Sequence, residues 1–187
     1  MEQELISIVV PVYRAERYIE ETMDCVRAQT YPHWELLLVE DCGPDRSREI
    51  IEQYIQRTGD TRIRMLTYST NLGAARAHNL GVNEAKGRYL AYLDADDLWT
   101  PDKLEKELAF LKEKQAAFVF TGYEFADENG KGTGKIVRVP ATITYKEALK
   151  NTTIFTSTVM FDMEQLSKEQ LQMPQIKSED TALWWRI

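Results

Sequence analysis

Four near-continuous apolar runs, Ile6 to Val12, Leu36 to Val39, Ile63 to Tyr68 and Arg88 to Leu93, alternate with segments whose apolar residues recur at helical spacing. A strand buried on both faces reads as such a run, and parallel strands need crossover helices to join them. The expected fold class is therefore α/β, a mostly parallel sheet flanked by helices. Ile19, Met23 and Val26 mark a first helix; Ile50, Ile51, Tyr54 and Ile55 mark a second, with Asp45 able to cap it. Ala74 to Ala85 reads as a third helix, ended by Gly87, and Thr100-Pro101 starts a fourth that carries Leu104, Leu108 and Leu111.

Beyond Ala117 to Thr121 the alternation breaks. Tyr123 to Ala126 and Lys135 to Val139 flank Asp127-Glu128-Asn129-Gly130-Lys131-Gly132, which reads as a hairpin or flap. Ile154 to Phe161 is a further strand, and Thr181 to Ile187 begins a helix. An aromatic helix ending at Trp184-Trp185-Arg186-Ile187 would bury that surface against more protein, so the chain is expected to be truncated at its carboxyl end.

A length of 187 residues with 43% hydrophobic and 28% charged residues fits one globular domain. The net charge of −7 argues against nucleic acid as a partner, since such domains present a basic stripe to phosphates. It leaves room for an anionic ligand held through a metal. No apolar stretch approaches the roughly 18 residues of a membrane span. The start, Met1-Glu2-Gln3-Glu4, lacks the basic region of a secretory signal, so a cytoplasmic location is expected. Cys25 and Cys42 are too few for a disulfide framework or a zinc site and read as structural.

Four groups are expected at different strand ends: Pro11-Val12-Tyr13, Glu40-Asp41, Asp94-Ala95-Asp96-Asp97 and Glu179-Asp180. The carboxyl ends of parallel strands share one edge, where open α/β sheets bind ligands. Tyr13 can stack on a planar base or cover the sheet edge. Asp41 can accept a base N–H, as uracil, thymine and guanine offer, or serve the turn it stands in. Carboxylates crowded within Asp94 to Asp97 repel one another, and a divalent cation neutralises them; turn chemistry is the alternative for Asp96 and Asp97. Arg76 and His78 can approach a diphosphate or serve surface and packing roles. Glu179-Asp180 can equally be an acidic first turn that complements a helix dipole.

The set Ile8-Val9-Val10-Pro11-Val12-Tyr13, Ala28-Gln29-Thr30-Tyr31-Pro32, Trp34 to Asp41, Asn71-Leu72-Gly73 through Asn79-Leu80-Gly81, Ala85 to Tyr89 and Leu93 to Asp97 closely resembles glycosyltransferase family 2. The resemblance implies one GT-A domain over 1–187, with a nucleotide-sugar-binding half at about 1–100 and a smaller, mixed acceptor-side half at about 101–187. It implies inverting transfer of a sugar from a nucleotide-diphosphate donor, UDP-sugar favoured, in bacterial surface polysaccharide synthesis. Pro11, Val12 and Tyr13 would border the nucleoside, and Asp41 would contact the base. Asp94 would lie near the ribose and metal, Asp96 would coordinate a Mn2+ or Mg2+ ion on the sugar diphosphate, Ala95 would join the nucleotide-sugar contacts, and Asp180 would be the general base.

The acceptor would be a saccharide or lipid-linked saccharide, recognised by the flap and Thr156-Ser157-Thr158. A missing carboxyl-terminal region would allow peripheral association with the inner membrane face. The sequence departs from the usual pattern at Glu40, where aspartate is common, at Cys42-Gly43-Pro44 in place of Gly-Ser-Thr, and at His78, where arginine is common. A nucleotidyltransferase would carry a glycine-rich basic loop after the first strand, which Val12 to Arg17 lacks. Donor binding without turnover is the other rival.

Overall fold

The computed structural model describes residues 4–150 and 153–187. Met1-Glu2-Gln3, most of the segment read above for a secretory signal, lie outside them. Among the described residues, six strands form one sheet in the order β3-β2-β1-β4-β8-β5. They are β1 (Ile6–Val12), β2 (Trp34–Glu40), β3 (Ile63–Thr67), β4 (Tyr89–Tyr92), β5 (Phe118–Phe120) and β8 (Val159–Asp162). β1 pairs in parallel with both β2 and β4, and β2 with β3.

Residue alternation along these strands divides the core into two layers. Ile6, Ile8, Val10 and Val12 of β1, with Leu36 and Leu38 of β2, pack under α1 (Ile19–Arg27), α2 (Ser47–Thr58) and α4 (Lys103–Lys114). Val9, Leu37 and Val39 face the other way, against Ala77 and Val82 of α3 (Ala74–Glu84) and Leu183 and Trp184 of α6 (Glu179–Trp184). Each fully buried Val, Leu or Ile contributes about 1.5–3 kcal/mol, so β1 and β2 anchor the domain from both sides.

Gly87 does not end α3, whose C-cap is Ala85 in extended conformation. A Cβ at Gly87 would lie 2.6 Å from the Leu5 carbonyl oxygen and 2.7 Å from the Ser7 nitrogen. Glycine is required there because the turn into β4 runs against the start of β1. The Gly87 amide donates to Ser7 Oγ at 2.8 Å, and Ser7 Oγ donates to Glu35 at 2.7 Å.

Three further expectations are corrected. Asp45 is not the N-cap of α2; it accepts the Glu16 amide at 3.0 Å and the Ser47 hydroxyl at 2.9 Å, and so ties the loop after β1 to α2. α4 begins at Lys103 after a turn at Pro101-Asp102. Only the second half of Ile154 to Phe161 is strand; Thr156–Thr158 form a 3-10 turn.

β5 pairs with β8, and β8 with β4, all antiparallel, so the sheet is mixed at this end. The expected hairpin is present as a separate two-stranded sheet, β6 (Tyr123–Ala126) and β7 (Gly132–Val137). A short α5 (Tyr145–Ala148) follows. Trp184 finds its partners within the described chain, stacked at 5.7 Å on Phe118 and 6.0 Å on Phe161, while Trp185 is exposed. Both cysteines are free.

Candidate active site

Because β1, β2 and β4 are parallel, Tyr13, Asp41 and Asp94 all emerge at one sheet edge. β8 runs the opposite way, so the chain enters it from that same edge and leaves Thr156–Thr158 beside the Asp94 turn. A cleft of about 420 Å³ opens there. Of the residues expected at a site, Pro11, Val12, Tyr13, Asp41, Asp94, Ala95 and Asp96 line it. Arg14, Tyr18 and Asn71 also line it, without having been assigned a role from sequence. Arg14 follows Tyr13 directly, and Asn71 stands two residues before a glycine at φ +88, the signals that could have found them.

At one end Tyr13 is exposed, and the Arg14 guanidinium lies 5.2 Å from its ring centroid. Arg14 holds a left-handed φ of 53°, uncommon for a residue with a side chain. Asp41 is buried and clasps the neighbouring loop. Its Oδ1 accepts the Leu72 amide at 2.7 Å, and its Oδ2 accepts the Gly73 amide at 2.7 Å and Asn71 Nδ2 at 2.9 Å. With about four lone pairs on a carboxylate, Oδ1 keeps room for one more donor.

At the other end the Asp94–Asp97 turn is closed by the Asp97 amide donating to the Asp94 carbonyl at 3.1 Å. Thr22 of α1 clips it from below, its hydroxyl donating to the Ala95 carbonyl at 2.9 Å. Ser157 clips it from the side, accepting the Asp94 amide at 2.9 Å and donating to Asp97 Oδ2 at 2.5 Å. Asp96 is exposed at the cleft, and Asp94 is half-buried. Burial first, then the charges of Asp97, Asp96, Asp180 and Glu179, push the Asp94 carboxyl up to about 7. Asp180 does not line the cleft wall, yet its charge reaches Asp94, and its Oδ2 lies 3.4 Å from the Thr156 hydroxyl.

Four other carboxylates thus raise Asp94, and no cation is among the groups that shift it. Among the described residues no three His, Cys, Asp or Glu side chains form an all-protein metal cage.

Arg76 is exposed on the first turn of α3 and does not reach the cleft wall. The expected approach of His78 to a diphosphate is not met. His78 is buried, packs edge-on to Tyr92 at 4.9 Å, and places Nδ1 3.1 Å from the Ala74 carbonyl. Burial pushes it down to about 4, so it is a neutral packing residue at pH 7.

A family model described as glycosyl transferase family 2 matches residues 7–167. The chain is 45% identical over 181 residues to TuaG of Bacillus subtilis, named as a teichuronic acid biosynthesis glycosyltransferase, covering 96% of this chain and 70% of that protein. It is 36% identical over 187 residues to WfgD of Escherichia coli, named as a UDP-Glc:alpha-D-GlcNAc-diphosphoundecaprenol beta-1,3-glucosyltransferase, covering 100% of this chain and 71% of WfgD.

The structure resembles that of S. aureus TarS 1–349 in complex with UDP, with a TM-score of 0.72 and 24% identity over 95% of this chain. It also resembles the mannosyltransferase PcManGT of Pyrobaculum calidifontis in complex with GDP-Man and Mn2+, with a TM-score of 0.75 and 21% identity over 98% of this chain. The chain spans about half the length of these two solved structures, 53% and 51%, and their likeness shows a shared GT-A fold. Strand order, converging carboxylates and these matches agree: the chain belongs to glycosyl transferase family 2.

Proposed function

We propose that the domain transfers a sugar, with inversion, from a nucleotide-diphosphate donor to a hydroxyl of a saccharide or lipid-linked saccharide. UDP-sugars are the favoured donors and bacterial surface polysaccharide synthesis the setting, at the cytoplasmic face of the membrane. The observation that carries the reading is the cleft itself, with Tyr13 and Asp41 at one end and Asp94 and Asp96 at the other, where the charge of Asp180 outside the cleft wall also reaches Asp94. The names of TuaG and WfgD support the setting, and the UDP and GDP-Man of the neighbours support the donor class.

The acidic end fits a divalent cation such as Mn2+ or Mg2+. Such ions are bound by one or two carboxylates together with substrate phosphates rather than by an all-protein cage. Asp96 and Asp94 would hold it, and when bound it supplies positive charge to the departing diphosphate. Tyr13 stacks on the base, and the remaining lone pair of Asp41 Oδ1 accepts one imide N–H, which a uracil provides. Asp180 takes the proton from the attacking hydroxyl, and Thr156 orients it.

Isothermal titration of UDP-glucose, UDP-N-acetylglucosamine and GDP-mannose, with Mn2+ and with chelator, tests this. Tighter UDP-sugar binding with Mn2+, lost in Asp96→Ala, is expected. Equal binding of all three with chelator, unaffected by Asp96→Ala, overturns the metal and donor assignments.

A further inference from the structure

We propose that Phe125, Tyr123 and Phe155 form a stacking platform for a pyranose ring of the acceptor; this rests on the transfer reaction proposed above. Tyr123 and Phe125 lie on β6, whose register shifts between Glu124 and Ala126, and their rings meet edge to face at 62°. Their ring centroids are 5.6 Å apart, and Tyr123 lies 5.3 Å from Phe155. Phe125 and Phe155 remain 43% and 41% exposed in a chain that buries most of its large apolar side chains. Phe155 immediately precedes Thr156, whose hydroxyl lies 3.4 Å from Asp180. The row therefore runs from the hairpin to the proposed general base.

The platform is docked rather than free. Arg17 of the donor-side half pairs with Glu128 at the hairpin tip at 3.4 Å. A Cβ on Gly130 would meet Leu98 at 2.9 Å and Glu21 at 3.3 Å, so the tip is seated against both.

The chemistry selects a sugar. A pyranose presents C–H groups on its faces and hydroxyls on its rim, and the negative face of an aromatic ring attracts C–H while leaving the rim wet. A protein partner would need roughly 20–30 residues a side, far more than three rings. An anionic bilayer calls for a basic surface, whereas residues 123–137 carry Glu124, Asp127 and Glu128 against Lys131 and Lys135. Lys135, on β7, holds its Nζ over one face of the Phe125 ring at 4.1 Å from the centroid, so a sugar would stack on the opposite face.

Saturation-transfer NMR with UDP and Mn2+ present tests the platform, using the methyl α-glycosides of glucose, galactose and N-acetylglucosamine as probes. Aromatic saturation is expected to reach ring protons of at least one glycoside. It should fall about fivefold in Phe155→Ala and in Phe125→Ala, the loss of roughly one aromatic stacking contact, and persist in Phe155→Tyr. Both phenylalanines are exposed, so melting temperatures close to wild type should show that the variants fold.

Transfer unchanged in both alanine variants, transfer to no glycoside, or loss of binding to phosphatidylglycerol vesicles instead overturns the platform. Titration of UDP separates the two readings. UDP binding with no aromatic effect on the sugars removes the platform alone, and absent UDP binding removes the donor site whatever the sugars do.

Discussion

Ser157 holds Asp97, with its hydroxyl donating at 2.5 Å to one carboxylate oxygen while accepting the amide of Asp94. One side chain from the turn before β8 thereby fixes the acidic turn that follows β4. The indole of Trp99 adds a third tie, donating to the Ser157 carbonyl at 2.7 Å.

Ser157→Ala leaves Asp97 without its donor and the Asp94 amide without its acceptor. The expected cost is about 1–3 kcal/mol in urea unfolding, the penalty for unsatisfied groups in a partly buried site. Turnover should fall while UDP affinity changes little, because the clasp at Asp41, the proposed base contact, is untouched.

Asp180→Asn keeps an acceptor for the Thr156 hydroxyl but removes the proposed general base. Transfer should fall by about 10²–10⁴-fold, with the donor dissociation constant within about twofold of wild type. Measuring UDP release with a methyl glycoside acceptor, alongside titration of UDP, checks both halves.

Asp94 and His78 give opposite pH dependences in chelator. Asp94 is raised to about 7, above its unfolded value near 4, so the folded state holds an extra proton between them. Its contribution is present below pH 4 and lost as pH rises to 7; Asp94→Asn should therefore gain on wild type over that window by on the order of 2–4 kcal/mol. His78 is lowered to about 4, so its neutral burial contributes above pH 6.5 and is lost as pH falls toward 4. His78→Leu should instead gain on wild type as pH falls. Urea titrations at pH 4, 5.5 and 7.5 read both slopes.

Lys103 and Glu107 form a buried pair at 2.6 Å, with the Lys103 ammonium 4.3 Å from the Trp99 ring centroid. Burial lowers the lysine pKa and raises that of the glutamic acid. Lys103→Met strands a buried carboxylate and should cost about 3–5 kcal/mol; the double variant Lys103→Met/Glu107→Leu should recover most of it, as replaced buried pairs do. A four-membered cycle of unfolding free energies decides this.

The alternating apolar runs determined the parallel core, because strands buried on both faces cannot be amphipathic and must be linked by crossover helices. The same pattern could not show that β5 and β8 turn antiparallel, since short apolar strands read alike in either direction. Nor could it separate the 3-10 turn at Thr156–Thr158 from the strand that follows. Gly87 was legible as special, but the reason is a contact with Leu5 and Ser7, distant in sequence.

For the site, the sequence by itself determined which carboxylates sit at strand ends: Asp41 after β2 and Asp94 to Asp97 after β4. It also placed Tyr13 at the end of β1. Only the tertiary structure decided their company. It buried His78 against Tyr92, committed most of Asp41 to the loop at Asn71 to Gly73, and brought Ser157 and Asp180 to Asp94 across more than sixty residues of chain. The physical reason is that periodicity encodes which face of an element is buried, whereas the partner of a polar group is set by strand order and direction.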